Sequence, residues 1–215
     1  CGVPYHSADG YIAKLVEKGH KVVICEQMED PASAKGIVRR DIVRIITPGT
    51  VTDSKMLDDK QNNYLCALCL MSGEAGLAFV DASTGDIAAT SLKGGGLENR
   101  IMTEIEAYSP RELLLNTALS DYPKLSDYLR NRLKAMVSDK EEERFDYGKA
   151  MLTVKRKFGK GGAVRDGESP ALISAVGALL GYVSENQKTD ISYIKNLDIY
   201  TDGQFLEIDP NTRRN

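Results

Sequence analysis

The sequence lacks a strong charge, a long apolar run and any cluster of histidines or cysteines. Its 28 Lys and Arg face 31 Asp and Glu, a formal net charge of -3 over 215 residues. That balance excludes a generic polyanion binder, so any nucleic-acid contact must come from a local patch. No apolar run approaches ~20 residues, so no transmembrane helix is expected. No secretory-signal pattern is visible either. The two histidines, His6 and His20, lie far from the Cys66-Ala67-Leu68-Cys69 pair, and no second CxxC answers it. A four-ligand zinc site or a redox pair is therefore not expected. In a strand, positions i and i+3 point to opposite faces. Cys66 and Cys69 then read as core thiols of a reduced, cytosolic protein. No Ser/His/Asp or Cys/His set can be assembled. The chain opens on Cys1-Gly2-Val3-Pro4 rather than on methionine, which reads as a piece of a longer protein.

What is present is ordinary globular composition, 42% hydrophobic and 27% charged, in a length that suits one large or two small domains. The stretch Arg39 to Thr50 organises the rest. Its apolar residues fall on both faces of an extended segment, which suits a strand buried in a sheet, and Pro48-Gly49 stops it. Before it, Asp9 to Gly19 reads as an amphipathic helix with Tyr11, Ile12, Leu15 and Val16 inward, Asp9 as N-cap and Gly19 as C-cap. His20 to Glu26 reads as a strand, and Asp30-Pro31 opens a short helical turn. This first unit is too short to bury a core alone. Residues 51–62 connect, with one possible helical turn at Met56 and Leu57.

A second unit, 63–208, opens with three strands, Tyr64 to Met71, Gly76 to Ala82 and Asp86 to Leu92, joined at hairpin length. A helix from Leu97 to Tyr108 follows, then a strand at Glu112 to Leu115. A helix from Pro123 to Leu133 leads to a strand at Ala135 to Ser138. Strands joined through helices are expected to be parallel. Lys140 to Arg144 is a charge run expected to be a solvated face. Two helices end the pattern, Tyr147 to Phe158 and Ser169 to about Lys188. In the last, Gly177 and Gly181 allow close approach of a neighbour. Short strands are expected between Tyr200 and Ile208.

Few residues suggest chemistry. Gly159-Lys160-Gly161-Gly162 fits neither the Walker nor the GxGxxG pattern. It reads as a loop made basic by Lys155, Arg156, Lys157, Lys160 and Arg165. The βββαβαβ order is similar to the ribonuclease-H-like fold, whose nucleases need convergent carboxylates for two metal ions. Asp81, Asp86 and Glu104 are the only candidates, and Asp81 reads more simply as a cap of the Ser83-Thr84-Gly85 turn. A metal-dependent nuclease is thus the alternative reading. A structural spacer is a third.

The motifs CGVPYHSADGYIAKLVEKGHKVVICEQ and DPASAKGIVRRDIVRIITPGT closely resemble the end of the mismatch-recognition domain of the MutS family of DNA mismatch repair proteins. AYSPRELL is similar to the middle of that family's connector domain, and DPNTRRN to the opening of its core (lever) domain. The resemblance covers essentially the whole chain in the expected order. It implies a recognition-domain remnant at 1–50, a linker at 51–62, a ribonuclease-H-like but non-nuclease connector at 63–208 and the start of the lever at 209–215. The family's mismatch wedge, a Phe-x-Glu motif, is implied to lie upstream of Cys1. Its ATP and magnesium site is implied to lie far downstream, so no cofactor is expected within this chain. The resemblance further implies mismatched duplex DNA and MutL as partners, homodimerisation of the full-length protein and a bacterial cytoplasmic setting. Tyr5, His6, Arg39, Arg40 and Arg44 are the candidates for backbone contacts to DNA, because arginine there would give sequence-independent affinity.

Overall fold

A computed structural model of the chain describes residues 2–30, 36–52, 62–117, 119–138, 142–159, 164, 167–188 and 190–201. The expected turns after Pro31 and around Met56, the strands expected beyond residue 201 and residues 160–163 lie outside the described residues.

The first unit comprises α1 (Tyr5–Glu17), β1 (Val22–Gln27) and β2 (Arg40–Ile46). The helix starts four residues earlier than its pattern suggested. Pro4 is the N-cap residue, so Asp9 lies within the helix and caps nothing. The C-terminal end matches expectation: Gly19 takes φ +80°, its N–H bonds the Val16 carbonyl and the His20 N–H bonds the Leu15 carbonyl. This double bond pattern closes the last turn and sends the chain back as β1. The two strands pair antiparallel with a register shift between Ile24 and Cys25. Ile12, Val16, Ile46 and Val51 form a small core between helix and ribbon. The strand expected to be buried on both faces is only partly covered: Arg40 to Ile42 are exposed, Val43 to Ile45 half-buried and Ile46 buried. Val23 is 49% exposed and Ile42 44%, while Val43 and Ile45 are half-buried and α5 approaches β2.

The second unit is a six-stranded mixed sheet between two helical layers. Its strands are β3 (Tyr64–Met71), β4 (Glu74–Asp81), β5 (Asp86–Lys93), β6 (Glu112–Leu115), β7 (Met136–Ser138) and β8 (Asn196–Ile199), in the order β7-β6-β3-β4-β5-β8. The first three are an antiparallel meander, and β6 and β7 join parallel through α2 (Leu97–Tyr108) and α3 (Pro123–Asn131). This is the arrangement expected from the βββαβαβ pattern, with one addition: β8 pairs parallel with β5 at the far edge.

The central strands are buried on both faces. Leu65, Ala67 and Cys69 pack under α4 (Tyr147–Phe158) and α5 (Pro170–Gln187). Cys66, Leu68 and Leu70 pack under α2 and α3. The CxxC pair thus divides between two layers, and burial pushes both thiols up, Cys69 to about 11.

Helix α5 is apolar nearly all round, as a helix in the middle of a layer must be. Ser169 caps it, accepting from the Leu172 N–H at 3.3 Å, and Pro170 starts it. Two glycines seat it. A Cβ on Gly177 would stand 2.3 Å from the Ala150 Cβ, so α4 and α5 touch almost backbone to backbone there. A Cβ on Gly76 would lie 2.2 Å from the Ala171 carbonyl carbon and 2.3 Å from the Leu172 nitrogen. The Lys140 to Arg144 run, expected to be solvated, is partly tied down. Glu142–Phe145 form a 3-10 turn, and Arg144 pairs with Glu185 at 2.8 Å. No helix among the described residues is long and apolar enough to cross a membrane.

Gly76→Ala is expected to destabilise the protein by about 3 kcal/mol, the upper part of the overpacking range, because the obstacle is helix backbone rather than a movable side chain. Urea unfolding checks this; a loss below about 0.5 kcal/mol would mean α5 is free to shift.

Candidate functional site

The two units meet at a buried turn. Thr47 to Thr50 leaves β2 and is buried throughout. The turn closes on itself: the Thr50 N–H bonds the Thr47 carbonyl at 3.1 Å, and the two threonine hydroxyls meet at 2.8 Å. Proline and glycine at its centre suit a tight reversal. Gly49 is also needed for space, since a Cβ there would stand 2.8 Å from the Glu112 Cβ and 3.0 Å from the Leu65 Cβ.

The second unit grips this turn from two sides. Glu112, the fully buried first residue of β6, accepts hydrogen bonds from the Thr47 hydroxyl at 2.5 Å, the Gly49 N–H at 3.0 Å and the Tyr182 hydroxyl of α5. From the other side, the Asn63 side-chain amide donates to the Pro48 carbonyl at 2.9 Å. The Asn63 N–H in turn donates to Asp81 at 3.1 Å. A buried carboxylate is costly unless its oxygens are satisfied, and three donors satisfy this one. Burial pushes the Glu112 carboxyl up, while the bonds from Thr47, Tyr182 and Gly49 and the nearby Lys21 ammonium pull it down, with burial the larger effect. Lys21 of the first unit lies 5.3 Å over the Tyr182 ring, a cation–π contact across the junction.

The residues that suggested nucleic-acid contact sit on the first unit. Tyr5 is 89% exposed, and His6, Arg39 and Arg40 are exposed as well. Tyr5 and His6 occupy the first turn of α1, and Arg40 begins β2. Arg40 pairs with Gln27 at the end of the ribbon opposite Ile46 and the buried turn that follows it. Arg44 differs. It is half-buried, and its guanidinium donates to the Thr52 hydroxyl at 2.9 Å. Lys157, part of the expected basic loop, is also engaged internally, donating to the Ile191 carbonyl at 2.6 Å.

The carboxylates weighed for metal binding are occupied elsewhere. Asp81 accepts from the Ser83 N–H and hydroxyl at 2.8 and 2.6 Å, as a turn cap. Asp86 accepts from Asn196 at 2.8 Å, and Glu104 from the Tyr200 hydroxyl at 2.6 Å. Among the described residues no three His, Cys, Asp or Glu side chains converge as metal ligands. The nuclease alternative has no support in this geometry. Sequence reasoning missed Glu112, which reads as the head of the apolar strand Glu-Leu-Leu-Leu. The one available signal was an acidic residue opening a run short enough to be buried.

Glu112→Ala would leave three buried donors without an acceptor. The expected loss is on the order of 3 kcal/mol or more in urea unfolding, at about 1–3 kcal/mol per orphaned group. The pH dependence has a definite sign. A raised folded-state pKa means the folded protein holds this proton more tightly than the unfolded chain. The contribution of Glu112 is then full below the ordinary glutamate value of 4.5 and is lost as pH rises through the higher folded value. Glu112→Gln should remove that component, and identical pH slopes for the two proteins would refute it.

The comparisons with known proteins agree with this two-unit arrangement. A family model described as MutS domain I matches residues 1–55, and one described as MutS domain II matches residues 63–195. The chain is 43% identical over 215 residues to the DNA mismatch repair protein MutS of Ruminiclostridium cellulolyticum, covering 100% of this chain and 24% of that protein. It is 42% identical to the same-named protein of Acetivibrio thermocellus over 215 residues, covering 25% of it. The MutS protein of Alkaliphilus oremlandii is 41% identical over 223 residues, again with 25% covered. The chain thus spans about a quarter of the length of the curated relatives it matches. With the second match covering more than half of its residues, this chain belongs to the MutS family.

Proposed function

We propose that this chain is the part of a mismatch repair protein that joins the DNA reader to the rest of the machine, a binding and transmission module without catalysis of its own. The observation that carries this reading is the buried junction at Glu112, which couples two units that match MutS domains I and II in order. A coupling of this kind suits transmission, because a packed, fully hydrogen-bonded joint passes a displacement on rather than absorbing it.

In this reading the exposed end of the first unit faces mismatched duplex DNA. Arg39 and Arg40 supply phosphate contacts, Tyr5 and His6 flank them, and Arg44 positions β2 while extending the positive edge. Such contacts fix register on the duplex without reading sequence. The second unit serves as the connector, offers a surface to MutL and responds to the ATP and magnesium bound elsewhere in a homodimeric whole protein. The division into a recognition part at 1–50, a linker at 51–62, a connector at 63–208 and a lever start at 209–215 belongs to the same proposal, as does a bacterial cytoplasmic setting.

Two measurements test it. Purified MutL should retain the 215-residue chain in a pull-down without DNA or nucleotide, and failure of any retention would remove the docking role. The chain should bind duplex DNA weakly and with strong salt dependence, equally for matched and G·T-containing duplexes. Arg39→Glu with Arg40→Glu should weaken both equally, by about tenfold. Clear preference for the G·T duplex would contradict the assignment.

A further inference from the structure

On the α2–α3 side of the sheet, beside the junction, a cavity of about 750 Å3 opens to solvent. Half of its wall is apolar and aromatic, with Tyr108 stacked on Phe79 at 3.9 Å and Tyr128 and Leu133 alongside. Its rim carries Arg111, Arg132 and Lys134 against one carboxylate, Glu106. All three cations are exposed, and among the described residues none of them takes part in an ion pair. The helices α2 and α3 both end here. Each C-terminus contributes a partial negative charge of roughly half an elementary unit. Together with Glu106 these offset part of the cationic charge, and the rim keeps a positive excess. That excess is local, since the chain as a whole is net negative.

We propose that this cavity docks an acidic peptide segment of a partner protein. An aromatic or aliphatic side chain would fill the apolar wall, and flanking carboxylates would meet the three cations. Two of these are arginines, whose planar forks take a carboxylate in two parallel hydrogen bonds. The shape favours a peptide over nucleic acid. A duplex tracks an extended basic stripe along its phosphates, whereas here three cations rim a concave pocket that also carries the aromatic and aliphatic side chains Tyr64, Tyr108, Tyr128 and Leu133. The inference does not depend on MutL being the partner, and it concerns a different unit from the one that carries the proposed DNA contacts.

The test uses fluorescence anisotropy of a fluorescein-labelled peptide alternating Glu and Phe, titrated with the full 215-residue chain. Saturable binding that weakens with salt is expected. Arg132→Glu with Lys134→Glu should weaken it by at least about tenfold, and Lys149→Glu, on the α4 side, should leave it unchanged. The substituted side chains are exposed, so urea unfolding of each variant should match the parent. Three results would overturn the proposal: no saturable binding, equal affinity in the double variant, or displacement of the peptide by matched duplex DNA that binds more tightly and is itself weakened by the double variant. The last would reassign the cavity to nucleic acid.

Discussion

One buried carboxylate holds the arrangement of the chain. Glu112 is fully enclosed, and its oxygens accept from a hydroxyl and an N–H of the first unit and a phenol of the second. The energetic logic is asymmetric. A satisfied buried network adds little net stability over an apolar contact, but a half-satisfied one is costly. The junction is therefore specific rather than merely adhesive: a turn that presented a different pattern of donors would strand the carboxylate. The first unit depends on this directly. Its own buried core is four residues among those described, so docking on the second unit supplies burial that it cannot provide itself.

The far side of the sheet repeats the device. Glu104 of α2 accepts from the Tyr200 hydroxyl, and the Tyr200 backbone bonds Ala89 and Thr90 of β5. Each buried glutamate thus fastens a segment distant in sequence to the meander. Between them, α5 is held by shape rather than by polar groups. Gly76 and Gly177 let it approach the sheet and α4 more closely than any side chain would allow. The sheet is clamped by hydrogen bonds at its periphery and by close packing at its centre.

Much of this was legible in the residues. The strands of the meander and the two helices between the parallel strands follow from period-2 and helical spacing bounded by glycine and proline. The opposite burial of Cys66 and Cys69 follows from strand geometry, and the use of Gly177 from its place on an apolar helix. The misses have physical causes. Asn196 to Ile199 is only four residues long and alternates polar with apolar residues, too short a run to separate an edge strand from a loop. Val23 and Ile42 are apolar yet exposed, because pattern reports which residues could be covered and not whether a covering layer exists. The start of α1 at Tyr5 escaped because Pro4, not a polar residue, precedes it. Glu112 was illegible because its partners sit elsewhere in the chain. Arg39 and Arg40 are exposed, while the partner of Arg44 at Thr52 lay beyond the reach of periodicity.

The bonds at Glu112 join residues 63, 65 and 70 positions apart in the chain. This spacing has a consequence for biosynthesis. When the ribosome has finished β2, neither Glu112 nor Tyr182 has been made, so the nascent first unit emerges with its turn undocked and its small core alone. Docking becomes available only after β6 is complete, and the third bond waits for α5. Chains generally fold in the order in which they are made, but here the turn at Thr47 to Thr50 completes its contacts only after segments 63 to 135 residues further on.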